Sequence, residues 1–446
     1  MPDSPPEGPG LARRIGPFDA TMIVMGGIIG SGIFANPREV ALELPSAPLL
    51  LAAWALGGVM ALLGAFVYAE LAARRPGVGG QYAYLRDAYH PLAAFLYGWV
   101  LLLVVQTGGM AAVALIFARY SGRLLGLELP ESLVGMSALL ALTIVNCLGV
   151  AMGNRVQSIL MVTKLAAIAI LIGCGLFLVP AAATPTAAEI SGARGLSGLF
   201  AFGAAMAPVL FAYGGWQTAS FVSAELRDPR RDLPRGLLWG VSGVIVLYLG
   251  VNWVCVRALG GPGLAHTLAP ASAVMERALG PLGARLTAAG IAVSTLGFLS
   301  QSMLTAPRVY YAMAADGVFF ESVGRIHPRT RVPVMAIALQ GAFAMLLTAW
   351  GQYRQILDYM IAVDFIFFGL TATCLFVFRR REGESAGFRT PGHPWTTGAF
   401  TAGCWLFVLN LVAQRPRETL VGMAVLATGA PAYALWRRAA RRRLSV

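Results

Sequence analysis

Twelve apolar runs constrain this chain more than any other feature. They lie at roughly 17–38, 48–73, 92–118, 132–149, 156–179, 197–223, 236–259, 284–312, 332–350, 356–378, 397–413 and 418–436. A helix needs about 20 apolar residues to cross a hydrocarbon core of about 30 Å. Inside hydrocarbon, backbone N–H and C=O groups must pair within the protein, which leaves helices or closed barrels. The runs are too long for barrel strands. The chain is 57 % hydrophobic and 12 % charged, where soluble domains carry about 25 % charged residues. The expected fold is an all-α membrane protein of twelve transmembrane helices. Its loops reach only about twenty residues, too short for a folded catalytic module.

Charge placement orients the chain. Of 34 basic residues, 33 are arginines. With the N-terminus inside, 23 arginines fall on the cytoplasmic side and 10 on the outside. The positive-inside rule then places both termini in the cytoplasm of a cell inner (plasma) membrane. Residues 1–16 read as a short polar tail without a cleavable signal, and 438–446 as a basic tail. Topology accounts for the net charge of +13, so nucleic-acid binding is not needed to explain it. The five cysteines fall in or beside apolar runs and the four histidines show no ligand spacing. No cofactor or metal is expected.

The one lysine, Lys164, sits inside the fifth run, Val156-Gln-Ser-Ile-Leu-Met-Val-Thr-Lys164-Leu-Ala. A fixed charge in a membrane helix costs about 2.5–3.5 kcal/mol on insertion scales and marks a functional site by default. Elsewhere the chain uses arginine, so this position calls for a compact ammonium and not a planar fork. The competing reading is a side chain snorkelling to the surface from some two turns down.

Two runs carry helix breakers at matching places. The first holds Gly26, Gly27, Gly30 and Gly32; the sixth holds Pro208, then Gly214 and Gly215. Glycine weakens a helix by about 1 kcal/mol relative to alanine. Interrupted segments in corresponding positions of two halves point to a transporter binding site at mid-membrane. Half-helix N-termini suit a carboxylate and half-helix C-termini suit an ammonium. A zwitterionic amino acid offers both. The competing reading is close packing of small residues, as at Gly26 and Gly30. The halves, 17–180 (helices 1–5) and 197–381 (helices 6–10), are similar in length and would run in opposite directions. Two more helices follow at 397–437.

Several motifs resemble the amino acid–polyamine–organocation superfamily, closest to the L-type amino acid transporters and their bacterial relatives. They are Gly27-Ile-Ile-Gly-Ser-Gly-Ile-Phe34, Pro76-Gly-Val-Gly-Gly-Gln-Tyr-Ala-Tyr-Leu-Arg-Asp-Ala-Tyr89, Val156-Gln with Lys164-Leu, Leu210-Phe-Ala-Tyr-Gly-Gly-Trp216, Glu225-Leu-Arg-Asp-Pro-Arg-Arg-Asp-Leu-Pro234 and Arg308-Val-Tyr-Tyr-Ala-Met-Ala-Ala-Asp-Gly317. The resemblance covers nearly the whole chain. It implies a five-plus-five inverted repeat with two added C-terminal helices, and a secondary amino acid carrier, permease or antiporter, working by alternating access. It implies that Ile28, Ile29, Gly30, Ser31 and Gly32 hold the substrate carboxylate. Phe211, Ala212 and Gly214 would hold the amine, with Tyr213 and Trp216 beside them as gates or as aromatic packing. Lys164 would occupy the place of a sodium ion, bonded to first-helix carbonyls and to a hydroxyl of helix eight, Ser300 or Ser302. Apolar area from Phe211, Tyr213 and Trp216 favours a neutral substrate.

Departures from the pattern carry information. The stretch from Arg119 to Glu131 has no cysteine, so no disulfide-linked heavy chain is expected. Ala315 stands where an arginine is usual. Asp364, about eight residues or roughly 12 Å into the tenth run, is an acid where a neutral residue is usual. It would serve in coupling, act as counter-ion for a cationic amino acid or polyamine, or sit hydrated or paired with Arg354 in an outer vestibule. Gln106 is expected to make an interhelical hydrogen bond. An enzyme is not expected, since no Ser/His or Asp/Asp pair falls at membrane depth. A channel would need a charged ring or a filter repeat, and neither is present.

Overall fold

The computed structural model describes residues 15–126, 128–182, 196–350, 353–384 and 387–444. Most of the tail expected at 1–16 and the last two residues of 438–446 lie outside these ranges. The described residues form helices α1 (Pro17–Ile28), α2 (Gly32–Glu43), α3 (Ala47–Arg74), α4 (Gln81–Ala88), α5 (Pro91–Val100), α6 (Gln106–Leu125), α7 (Glu131–Cys147), α8 (Val150–Phe177) and α9 (Leu196–Tyr213). They continue as α10 (Pro229–His266), α11 (Pro270–Leu279), α12 (Pro281–Thr305), α13 (Pro307–Ala315), α14 (Val334–Trp350), α15 (Tyr353–Glu382), α16 (Trp395–Gln414) and α17 (Pro416–Leu444). A π-helical turn, Leu101–Val105, joins α5 to α6, and a 3-10 segment, Trp216–Glu225, follows α9. The described residues contain no strand, only an isolated bridge between Ile15 and Leu226.

Nine described spans are long and apolar enough to cross a bilayer, and α1 with α2 makes a tenth if the bent pair is one span. Helices α7 and α14 fall on the fourth and ninth apolar runs but have 17 residues each, about 25 Å. The outer surface matches a bilayer. Phe177, Trp239, Trp350 and Trp395 are each more than 70 % exposed. Apolar side chains this open point to lipid in a chain with so little charge.

The helices pack as two groups. One contains α1, α2, α3, α9 and α10; the other contains α6, α7, α12 and α14. Helix α8 touches α10 and α12, and α15 touches α3 and α6, so these two bridge the groups. Polar ties close one end of the seam. Glu70, fully buried, accepts hydrogen bonds from Arg74 (2.9 Å), Arg379 (2.6 Å) and the Thr390 N–H (2.7 Å). Glu225 pairs with Arg308 at 2.8 Å, both buried, and Arg308 also donates to the Leu304 carbonyl. Tyr82 and Arg86 both donate to Asp316, at 2.8 and 2.7 Å.

Removing one partner of a buried ion pair destabilises by about 3–5 kcal/mol, because a charge is left behind unpaired. Glu225→Ala should therefore lower the thermal midpoint of detergent-solubilised protein sharply. Adding Arg308→Met should recover part of that loss; equal midpoints for the single variant and wild type would show that the pair contributes nothing.

Candidate substrate site

Helix α1 ends at Ile28, α2 begins at Gly32, and their axes bend by 42°. Between them Ile29 is extended, with φ −75° and ψ 95°. The break frees carbonyls, and side chains from three other helices answer them. Lys164 on α8 donates to the Ile29 carbonyl at 2.6 Å and to that of Gly26 at 3.3 Å. Ser294 on α12 donates to Gly30 O at 3.2 Å. Tyr248 on α10 lies 3.1 Å from Ile28 O and 3.2 Å from Ala212 O, joining the two broken helices. The donors are treated differently. Among the described residues the N–H groups of Gly30, Ser31 and Gly32 meet no acceptor, as the first turn of a helix requires of its own backbone. The buried Ser31 hydroxyl is also unpartnered.

The second break follows Tyr213. Gly215 takes φ +101°, the left-handed region open to glycine. Its Cα faces the first break at backbone distance: a Cβ on Gly215 would lie 2.1 Å from the Gly27 carbonyl oxygen, and one on Gly27 2.6 Å from that of Gly215. Side chains close this turn. Gly215 N–H donates to Gln217 Oε1 at 3.0 Å, Thr218 Oγ1 donates to Gly215 O at 2.6 Å, and Gln301 Nε2 donates to Thr218 Oγ1 at 2.8 Å.

Both breaks open on one cavity. Ile28, Gly30, Ser31, Gly32, Phe211, Ala212 and Gly214 line it, together with Gln217, Thr218, Gln301 and Ser302. Ile29 is fully buried behind it. Asp364 lines the cavity too, so it belongs with the broken helices and not to a separate vestibule; the side chain of Arg354 lies outside the described residues. Gln106 opens on the cavity, and its side chain makes no hydrogen bond among the described residues, contrary to the interhelical bond expected of it. The π turn just before it is the reason. An extra residue in the turn re-aims the side chains of the helix beyond it, and Thr107 Oγ1 bonds back to Leu102 O at 2.6 Å. A second cavity, lined by Asn36, Arg38, Glu39 and Arg119, shares only Phe211 and Ile361 with the first.

Four residues sit elsewhere than expected. Tyr213 and Trp216 line a separate, smaller space with Met60 and Phe400. Trp216 stacks on Phe368 at 5.4 Å and meets Tyr68 edge-on at 4.8 Å, while Tyr213 packs against Tyr248 and Trp54. They are aromatic packing behind the sixth-run break. Ser300 is not a partner of Lys164, nor is Ser302; both hydroxyls are unpartnered. The face of α12 toward the first break carries Ser294, Gly297, Phe298 and Gln301, spaced as helical neighbours. Gly297 leaves room for the lysine, since a Cβ there would lie 3.0 Å from Lys164 Cε. Ser300 and Ser302 are rotated about 100° to either side of Gln301. Tyr248, Ser294 and Gly297 escaped the sequence reading, because nothing in a run of apolar and small residues says which face meets a break.

The two glycines of the site should fail differently. Gly215→Ala forces a Cβ into backbone and should lower the thermal midpoint. At Gly30 the atoms nearest an added Cβ belong to the Phe298 side chain, at 3.3 Å, and not to backbone, so Gly30→Val should keep the midpoint while losing the rise that bound ligand gives. Thermal unfolding of both variants, with and without a panel of twenty amino acids, checks this; a normal ligand-induced rise in Gly30→Val removes the first break from the site.

Comparison with known sequences agrees with this geometry. A profile of the amino acid permease family matches residues 15–432. The chain is 29 % identical over 433 residues to the serine/threonine exchanger SteT of Bacillus subtilis, covering 95 % of this chain and 97 % of that one. It is 30 % identical over 442 residues to the human large neutral amino acids transporter small subunit 2, covering 96 % and 81 %. It is 31 % identical over 386 residues to the human b(0,+)-type amino acid transporter 1, covering 85 % and 79 %. With nearly its full length matched and two broken helices facing one cavity, the chain belongs to the amino acid permease family.

Proposed function

We propose that this chain exchanges neutral amino acids across a cell membrane by alternating access, without sodium. One observation carries the reading. At the first break the carbonyls of Gly26, Ile28, Ile29 and Gly30 are engaged, while the N–H groups of Gly30, Ser31 and Gly32 are left open beside the cavity. A site with donors free and acceptors occupied suits an anion, and the N-terminal end of α2 adds its positive dipole. The substrate carboxylate fits there, and the C-terminal end of α9 suits the substrate ammonium. The names of the relatives, a serine/threonine exchanger and a transporter of large neutral amino acids, support the substrate class.

The same reading takes α7 and α14 as spans, which gives twelve, and takes 17–180 and 197–381 as inverted repeats with α16 and α17 added. Both termini are then cytoplasmic, in the plasma membrane. The absence of cysteine between Arg119 and Glu131 supports work without a disulfide-linked heavy chain. Lys164 acts as a built-in cation. Its ammonium is a compact point charge against two carbonyls of the broken segment, as a bound metal ion would be, and a covalently held charge cannot leave with the substrate.

Exchange in liposomes with sodium replaced by choline tests this. Wild type should exchange at an undiminished rate. Lys164→Ala should lose most activity because the freed carbonyls lose their partner. Lys164→Arg should fail as well, since a guanidinium does not fit an ion-sized space beside Gly297. A strict sodium requirement in wild type, or full activity in Lys164→Ala, would refute the built-in cation.

A further inference from the structure

Among the described residues, Asp364 is the only ionisable one in the lining of the central cavity. It keeps part of its surface open, and among the described residues no cation forms an ion pair with it. Hydrogen-bond donors on the protein side do not answer it either; no hydrogen bond to its carboxylate is formed among the described residues. The other arginine–carboxylate pairs at membrane depth, such as Arg308–Glu225, are closed and buried. A carboxylate left open in a low-dielectric site is poorly solvated, and a partner with a donor relieves this. Gln106 and Gln301 line the same cavity, as do the apolar Val113, Phe298 and Met360. The substrate backbone groups are already provided for at the two breaks, so Asp364 faces whatever lies beyond the α-carbon.

We propose that Asp364 selects the substrate side chain, favouring amino acids whose side chain ends in an O–H or N–H donor over apolar amino acids of the same shape. This rests on the amino acid exchange proposed above; a hydroxyl donor narrows the neutral class given there, and an ammonium donor would replace it. Threonine differs from valine by a hydroxyl in place of a methyl, and ornithine differs from norleucine by an ammonium in place of a methyl. Each pair keeps size nearly constant, so sterics cancel. A site built around a buried polar group rejects the analogue that leaves the group unpaired far more strongly than an apolar pocket rejects an extra hydroxyl. Phe211, which lines the same cavity, is common to all substrates and cancels as well.

The test is competition for exchange of labelled alanine in liposomes holding the full-length chain. Alanine carries no side-chain donor, so its own exchange reports on the shared machinery. In wild type, threonine should compete at least about tenfold better than valine, or ornithine about tenfold better than norleucine, the range expected for a hydrogen bond to a charged group. The first result assigns a neutral donor and the second a cationic side chain. In Asp364→Leu the preference within each pair should vanish or reverse, read against whatever alanine exchange that variant retains or, where it retains none, as the rise in thermal midpoint that each amino acid gives. Equal competition within both pairs in wild type overturns the proposal without any variant. A preference that survives in Asp364→Leu, or in Asp364→Ala should the leucine variant misfold, also overturns it. Absence of alanine exchange, with no other amino acid exchanged, would instead bring down the transport reading beneath it.

Discussion

A membrane interior offers no water to an unpaired carbonyl, and the break in the first span is possible only because other helices supply donors to it. An ammonium from α8, a hydroxyl from α12 and a phenol from α10 reach four consecutive or near-consecutive carbonyls. Each donor comes from a helix far away in sequence, so the broken stretch exists only in the assembled fold. The arrangement also fixes the character of the site. Once acceptors are saturated from behind, the groups remaining toward the cavity are a row of donors, and the chemistry of the ligand is set by that remainder.

Much of this was readable from the sequence because the signals are strong and local. Apolar runs separated by arginine mark helices in a bilayer without reference to tertiary contacts. Four glycines in seven residues and a Gly-Gly pair mark the breaks, and a lone lysine in an apolar run marks a charge that must be answered. The remainder depends on rotation about helix axes. Ser300 and Ser302 differ from the face that meets the break by one residue step, and hydropathy is nearly blind to that step in α12. Gln106 turned toward the cavity through a π turn whose sequence, Leu-Leu-Leu-Val-Val, gives no warning of it. Tyr213 and Trp216 adjoin the sixth-run break in sequence but project behind it, into aromatic contacts with Trp54, Tyr248, Tyr68 and Phe368.

The contact between Gly27 and Gly215 ties the two breaks mechanically. Neither position tolerates a Cβ against the opposing carbonyl, and Tyr248 holds both segments through one hydroxyl. A shift in one broken helix is therefore passed to the other through backbone contact, with little side-chain cushioning. Packed interiors shift between discrete arrangements more readily than they stretch, so the pair is suited to moving as a unit relative to α6, α7, α12 and α14.

The central cavity is bounded very unequally at its two ends. Toward Arg38 and Arg119, two apolar side chains, Phe211 and Ile361, are shared with the neighbouring cavity. At the other end stand the Arg308–Glu225 pair and the cluster around Glu70. Phe211 is half-buried and Ile361 buried, so opening the first boundary asks two apolar side chains to repack, whereas opening the second asks buried ion pairs to separate. A ligand on the Arg38 side is two side chains from the site; one on the other side has several buried charges in its way, and those must part together.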